Sequence, residues 1–450
     1  MVWSQLFSRL ILSLALLLAG CQTQPEPSTA PSQDRSSLPQ NTKPAVLASD
    51  SGLLCLADPH DTQPLDSEIR TAQELIRQMP QQPDHWTRAG HAWVRKARLS
   101  ADPGFYTNVT GCVEGALHTD PGNRAARNLR GLVLLNNHRF AEAQREAEGL
   151  LQEEPQDLIA LGTLSDALLE LGKYDEAIEA AQRLMDLRPG MASYARASYF
   201  RWLHGDRQSA KQIIQQALAA GKDRRNPEPT AWTFVQAGML LWHEADYKGA
   251  DAVFAEALNW VPDYPAALVG RGRVALSQSD PARASEYFEK AYRLHPLPET
   301  AWLLGDARAA LGDEAGSRTA YDRVVQDGRK NDPFTLVLFY ATKNQAPEEA
   351  LRLIEKERTT RGGIYLDDAY AWVLYRMGKI TEAQKMSDEA IRLGTPDAQL
   401  LYHAGVIRMA AGDPNGHKLI EQALALNPHF DWTGATEARA VVKMYAKNGH

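Results

Sequence analysis

A repeat of 34 residues constrains this 450-residue chain more than any other feature of its sequence. Within the stretch Ala231–Pro296, five small, aromatic or proline positions occur twice with that spacing. The first copy holds Gly238, Ala250, Phe254, Ala257 and Pro262, and the second holds Gly272, Ala284, Phe288, Ala291 and Pro296. A fixed period of this length predicts an array of supersecondary units, each burying its apolar face against the next. Small residues let two helices approach closely, and proline ends the second helix. The pattern therefore predicts a solenoid of helix pairs.

The spacing and the residue types resemble the tetratricopeptide repeat, a helix-turn-helix unit. Further copies are carried by Gly131, Phe140 and Ala143, by Tyr174, Ala177 and Pro189, by Trp302, Gly305 and Tyr321, and by Ala371, Ala383 and Ala390. The resemblance implies an all-α fold, a right-handed superhelical solenoid of about ten repeats over residues 65–430. Residues 431–450 are expected to form a C-terminal capping helix, because Thr436–Lys447 alternates apolar and charged residues at helical spacing.

The first twenty residues predict export. Arg9 is the only charge in residues 1–20, and the apolar run 10–20 is too short for a membrane-spanning helix but typical of a secretory signal. The run ends in LAGC at residues 18–21, which resembles a bacterial lipobox. The resemblance implies cleavage before Cys21 and lipidation of its thiol. Because Gln22 is not aspartate, it also implies an outer-membrane address facing the periplasm. A plain secretory signal is the alternative.

Residues 21–64 are expected to be a lipidated N-terminus and a flexible tether. Proline, serine and glutamine are abundant there and large apolar residues are few, so little surface can be buried. The leucines between positions 53 and 56 are expected to pack onto the first helices. Export to an oxidising compartment favours a disulfide between the two remaining cysteines, Cys55 and Cys112. Two buried free thiols are the alternative.

No motif in the sequence indicates catalysis or a cofactor. The formal net charge is −7 and no basic tract is present, which speaks against nucleic acid as a partner. Gly270-x-Gly272-x-x-Ala275 fits a dinucleotide fingerprint by letter, but its glycines fall inside a predicted helix instead of a strand-to-helix turn. The 12 histidines show no spacing typical of a metal site. We therefore expect a chain that is not an enzyme and holds no metal or cofactor.

Aromatic residues are concentrated on the first helices of the repeats. In the tetratricopeptide family, positions two, five, nine, twelve and thirteen of a repeat face the concave groove. The resemblance assigns to this groove Trp232, Met239, Trp242, His243, Glu299, Trp302, Asp306, Tyr365, Asp368, Trp372, Tyr375, Arg376, Tyr402 and Met409. Exposed aromatics beside isolated charges are typical of a site for an extended peptide or a helix. Packing is the open alternative, either among these residues or against a terminal helix or tether folded into the groove.

These observations favour a non-enzymatic envelope lipoprotein that acts as a protein–protein interaction scaffold through the concave groove. Its partner is expected to be a protein or a peptide, and its membrane attachment is expected to be the acyl chains on Cys21. The alternative function is a glycan-binding accessory in polysaccharide export or cell-wall remodelling, because groove aromatics beside acidic residues also suit sugar rings.

Overall fold

The computed structural model describes residues 50–60 and 64–447 of the chain. Within these ranges the chain forms 23 α-helices and no strand, as the all-α prediction required. Helices α3 to α22 pack as ten consecutive pairs, followed by a single last helix. The predicted signal peptide, the lipidation site Cys21 and most of the predicted tether lie outside the described residues.

The helices before and in the first five pairs are α1 Asp50–Cys55, α2 Pro64–Gln78, α3 Pro83–Leu99, α4 Tyr106–Thr119, α5 Arg124–Asn136, α6 Phe140–Glu153, α7 Leu158–Glu170, α8 Tyr174–Leu187, α9 Met191–Leu203, α10 Arg207–Ala220, α11 Glu228–His243 and α12 Tyr247–Trp260. The remaining helices are α13 Pro265–Ser277, α14 Pro281–Leu294, α15 Pro298–Ala310, α16 Glu314–Asn331, α17 Pro333–Thr342, α18 Pro347–Glu357, α19 Ile364–Arg376, α20 Ile380–Ala390, α21 Ala398–Ala410, α22 Gly416–Leu426 and α23 Trp432–Lys447.

The repeated glycines and aromatics hold the pairs together by close packing. Phe254 on α12 is fully buried, and it lies between two glycines on consecutive first helices. A Cβ atom on Gly238 would lie 2.6 Å from a Phe254 ring carbon, and a Cβ on Gly270 would lie 2.5 Å from the same ring. A side chain at either glycine would overlap the ring, which is why these positions are glycine. Gly270 and Gly272 both lie inside α13, so the dinucleotide fingerprint has no phosphate-binding turn.

Contacts between residues about 190 positions apart close the solenoid on itself. The backbone N–H of Gly362 donates to the carbonyl of Glu170 at 2.9 Å. The hydroxyl of Thr395 donates to the carbonyl of Leu203 at 2.6 Å, across 192 positions. Both acceptors are the last residue of a first helix, where the carbonyls have no donor within the helix. The loops that precede later repeats therefore satisfy the ends of earlier helices.

A third contact of this kind joins α11 to the link before α23. Asn427, whose side chain is fully buried, donates to the carbonyl of Trp242 at 2.9 Å. Its side-chain oxygen accepts from the hydroxyl of Tyr247 at 2.7 Å. We call the pairs 170/362, 203/395 and 242/427 the closure contacts. Their separations of 185 to 192 positions correspond to about five and a half 34-residue repeats in one superhelical turn.

The segment 50–60 packs onto the first repeat, which corrects the prediction of a tether reaching residue 64. Cys55 at the end of α1 is fully buried and forms a disulfide with Cys112 of α4. Leu53 and Leu54 do not pack inward as expected, because their side chains are 54% and 40% exposed. The disulfide fixes which side of this short helix faces the fold, and the two leucines lie on the other side.

The last helix spans Trp432–Lys447, and the range expected for it was 431–450. The link 427–431 before it crosses from the last repeat to α11, where Asn427 makes its closure contact. None of the helices in residues 50–60 and 64–447 combines the length and the apolar character needed to cross a bilayer.

Candidate functional site

The structure buries most of the predicted groove residues. Trp232, Met239, Trp242, His243, Trp302, Asp306, Tyr365, Asp368, Trp372 and Tyr402 are each at most 8% exposed, and Tyr375 and Arg376 are half-buried. This corrects the expectation that they line an exposed concave surface. The apolar side chains among them pack into one buried cluster that joins helices of several repeats. A binding role for these residues stays a prediction.

The residues of the last two repeats form a packed cluster. The ring of Trp372 stacks on His403 with 4.0 Å between centroids and an interplanar angle of 12°. Nδ1 of His403 lies 3.0 Å from both carboxylate oxygens of Asp368, which holds the imidazole in place. The guanidinium of Arg376 lies 4.5 Å from the Trp372 ring centroid. Tyr402 donates to Glu437 of α23 at 2.6 Å. These contacts are those of a core, and the last helix completes it.

A cavity of about 310 Å³ remains between the middle repeats and the C-terminal segment. Its walls come from α11, α13, α15, α17 and α21, from the last three residues of the link and from α23. The lining residues that matter for chemistry are three tryptophans and five charged residues, namely Trp242, Trp302, Trp432, Arg273, Glu299, Asp306, Asp431 and Arg439. Trp432 is 43% exposed, so one indole face is available at the entrance.

The buried charges of the cavity are paired. Arg273 donates to Glu299 at 2.7 Å, and both side chains are largely buried. Asp306 accepts from Lys343 at 2.7 Å and from the hydroxyl of Tyr321 at 2.6 Å. Burial alone would lower the pKa of Lys343, but the adjacent Asp306 carboxylate more than offsets it and raises that pKa above its ordinary value. The Lys343 ammonium therefore stays charged beside Asp306 at neutral pH.

Two N–H groups in the cavity wall lack an acceptor among the described residues. They are Nε of Arg273 and Nε1 of Trp302, and both atoms are buried. The indole of Trp242, in contrast, donates to the hydroxyl of Ser277 at 3.1 Å. A buried donor without a partner costs about 1–3 kcal/mol. Neither atom is accessible from the cavity, so both lie within the packed wall.

The sequence identified part of this site. Trp242, Glu299, Trp302 and Asp306 were assigned to the groove, and all four line the cavity. Arg273 was not predicted, because the groove residues were chosen from helices rich in aromatics and α13 contains none. The C-terminal residues of the cavity were also missed. Their signal was the HFDW sequence at 429–432, which places two aromatics between the last repeat and the last helix.

Among residues 50–60 and 64–447, no group of three or more His, Cys, Asp and Glu side chains is arranged to hold a metal ion. The His403–Asp368 pair is buried, and the imidazole ring stacks on Trp372. The groups that line the cavity are indole surfaces and charged side chains, which are groups typical of ligand sites.

The described residues form a helical-repeat solenoid with a cavity between the middle repeats and the C-terminal segment. Two segments of the chain, 128–192 and 269–333, match the family model of the tetratricopeptide repeat. This match supports the prediction of tetratricopeptide repeats in these two segments, and the ten helix pairs extend the same helix-turn-helix arrangement along the described residues. No curated protein sequence matches the chain.

Solved structures similar to the chain include several helical-repeat proteins. PilW, described as a widely conserved type IV pilus biogenesis factor, is 17% identical over 47% of this chain and 96% of its own, with a TM-score of 0.39. A human IFIT1 dimer with PPP-AAAA is 13% identical over 85% and 94%, with a TM-score of 0.44. Yeast Tom70 is 14% identical over 85% and 96%, with a TM-score of 0.38. Solenoids of one repeat type differ in curvature, and scores this low carry no information about what this chain binds.

Proposed function

We propose that this protein is a non-enzymatic scaffold that holds a protein or peptide partner at the bacterial cell envelope. The observation that carries the proposal is the cavity between the middle repeats and the C-terminal segment. A cavity of about 310 Å³ falls at the lower end of the range of ligand sites, and its entrance carries a half-exposed tryptophan. Tryptophans at the rim of a pocket are typical anchors of protein recognition.

The envelope location in this proposal rests on the sequence of the N-terminus. The apolar run 10–20 and the LAGC sequence at 18–21 support export and lipidation at Cys21. The Cys55–Cys112 disulfide is compatible with an oxidising compartment. Metabolic labelling with palmitate tests the anchor: label is expected in the parent chain and none in Cys21→Ser. Fractionation with the inner membrane would contradict the outer-membrane address.

Site-specific photo-crosslinking in the native cell tests the scaffold proposal. A photoreactive phenylalanine at Trp432 is expected to give a discrete protein adduct, since this residue lies at the entrance to the cavity. The matched control is the same probe at Met444, which lies in the same helix and is 52% exposed. Equal adducts from both positions, or none from either, would contradict the proposal.

A further inference from the structure

We propose that the entrance of the cavity binds a cationic side chain of the partner, a lysine or an arginine, between the carboxylate of Asp431 and the ring face of Trp432. The inference rests on the proposed scaffold function and adds the chemistry of the partner. Three properties of the cavity carry it: a carboxylate without an ion pair, an exposed indole next to it, and the size and lining of the cavity.

Asp431 is the lining carboxylate that forms no ion pair with a described residue. The other two lining carboxylates are held in buried ion pairs with Arg273 and Lys343. These two cations lie near enough to be attracted by Asp431, but each is paired elsewhere. Asp431 is half-buried, and one of its oxygens accepts from the N–H of Gly434, whereas no described residue donates to the other oxygen. A half-buried carboxylate of this kind favours a cation as its neighbour.

The lining cation without an ion pair, Arg439, is engaged by hydrogen bonds. Its guanidinium donates to the carbonyl of Pro428 at 2.7 Å and to the hydroxyl of Thr436 at 3.1 Å. Because this residue is exposed, water screens its charge, and an anion paired with it would gain little. Burial, together with the charge of Arg439, lowers the pKa of His429, so this lining imidazole is uncharged at neutral pH and does not repel a cation.

Trp432 supplies an aromatic face beside the Asp431 carboxylate. Its side chain is 43% exposed, and no ring or cation among the described residues stacks on its indole. In the same wall, the guanidinium of Arg273 lies 5.5 Å from the ring centroid of Trp242, which shows how a cation packs on such a face. The attraction between a cation and an indole grows where water is partly excluded. Since Asp431 and Trp432 are consecutive and both line the cavity, one cation can contact both.

The size and the apolar lining of the cavity suit a long cationic side chain. A volume of about 310 Å³ holds one extended side chain, and it is too small for a folded element. Leu276 and Leu303, both half-buried, line it together with the indoles. Lysine and arginine carry apolar methylene stems, which pack on such side chains while the charged end stays near water. An acidic side chain has a shorter stem and the wrong charge for Asp431, so the cavity favours a basic residue.

The test uses the purified protein and acetylated, amidated pentapeptides of the form Gly-Ser-X-Ser-Gly, in which X is lysine, arginine, leucine or glutamate. Ligand-observed NMR measures the dissociation constant of each peptide. Peptides with lysine or arginine are expected to bind at least about tenfold more tightly than those with leucine or glutamate. Asp431→Asn is expected to remove this preference, and Trp432→Ala is expected to weaken binding of the cationic peptides about tenfold.

A matched control separates the carboxylate at the entrance from the overall charge of the protein. Asparagine at position 431 keeps an acceptor for the N–H of Gly434, because asparagine and aspartate cap helices about equally well. The control is Asp313→Asn, which removes the same charge from a residue that caps α16 through the N–H of Gly316 and does not line the cavity. This variant is expected to bind every peptide as the parent chain does, and thermal melts verify that each variant folds.

Several outcomes would overturn the inference. It falls if no peptide binds, if the leucine or glutamate peptide binds as tightly as the lysine peptide, or if Asp313→Asn weakens binding as much as Asp431→Asn. It also falls if peptides bind only after residues 22–49 are deleted, because Arg35 or Lys43 of the chain itself would then be the occupant. A protein adduct from the photoreactive probe at position 432, without a preference for cationic peptides, would overturn the inference and leave the scaffold proposal standing.

Discussion

Removal of the Asn427 side chain tests whether the closure contacts hold the superhelix together. This side chain is fully buried and bridges two parts of the chain that are 185 positions apart. It donates to the carbonyl of Trp242 at 2.9 Å and accepts from the hydroxyl of Tyr247 at 2.7 Å. It also accepts from the backbone N–H of His429 at 2.9 Å, which fixes the link that leads into the cavity wall.

The loss of stability in Asn427→Ala can be worked out from the hydrogen bonds that the substitution removes. Three hydrogen bonds are lost, each worth about 0.5–1.5 kcal/mol net. The carbonyl of Trp242 keeps a second donor, the N–H of Ala245 at 3.0 Å, and the half-buried Tyr247 hydroxyl can turn to water. The loss is therefore expected near the middle of the summed range, about 2–3 kcal/mol. The substitution should lower the free energy of opening this contact more than the free energy of unfolding the whole chain, because each repeat is stabilised mainly by its neighbours.

Hydrogen exchange of backbone amides measures this opening directly. Amides in 241–246 and 427–431 are expected to exchange about 30- to 150-fold faster in Asn427→Ala, since 1.4 kcal/mol is a factor of ten. Amides of the first two repeats should be unchanged. The matched control is Asn259→Ala, an exposed asparagine at the end of α12 that bonds only to Glu256 through its side chain. Unchanged exchange at 427–431, or equal changes in the two variants, would refute the idea that Asn427 holds the turn closed.

Three further predictions follow from individual positions. Gly270→Ala is expected to lower the free energy of unfolding by about 1–2 kcal/mol, because its Cβ would overlap a buried ring. Gly149→Ala, whose Cβ would meet only an arginine tip at 3.2 Å, should raise that free energy by up to about 1 kcal/mol. Urea unfolding measures both, and a change of the same sign in the two variants would contradict the packing argument. Burial lowers the pKa of His243 to about 3, so the unfolded chain binds the proton first and stability falls as the pH drops below about 6.5. Between pH 6.5 and 5 the parent chain should lose about 2 kcal/mol more than His243→Gln. Reduction of the Cys55–Cys112 disulfide should cost about 2–4 kcal/mol, measured by unfolding with and without reductant.

The helix pairs could be predicted from the sequence because each is determined locally. The 34-residue spacing of glycines and aromatics reports contacts between neighbouring helices, such as Gly238 and Gly270 against Phe254. Even the eighth repeat, which lacks a glycine at the close-packing position, forms its pair α17 and α18. The helix ends are local too: Asp280 caps α14 by accepting from the N–H of Arg283.

The closure contacts could not be predicted in the same way. They depend on the curvature of the whole array, which is the sum of small rotations from one repeat to the next. The residues that make them, such as Thr395 and Asn427, lie in loops and carry no periodic signal. The exposure of the groove aromatics was predicted from an open superhelix, and a narrow, closed turn buries them. Glu299 and Asp306 were assigned to the groove, but Arg273 and Asp431 were missed, since these two line one cavity only when the turn closes.

The proposed binding would depend on closure of the turn, because the same segment takes part in both. Asn427 makes the third closure contact, and Phe430, Asp431 and Trp432, three to five residues later, form one wall of the cavity. A ligand that contacts this wall binds only the closed turn. Closure therefore raises the affinity for the ligand, and the bound ligand raises the population of the closed turn by the same factor. A bound peptide should therefore slow amide exchange in 427–431, and Asn427→Ala should weaken its binding only if the open turn becomes appreciably populated. If a peptide binds tightly and leaves this exchange unchanged, the link is not part of the site.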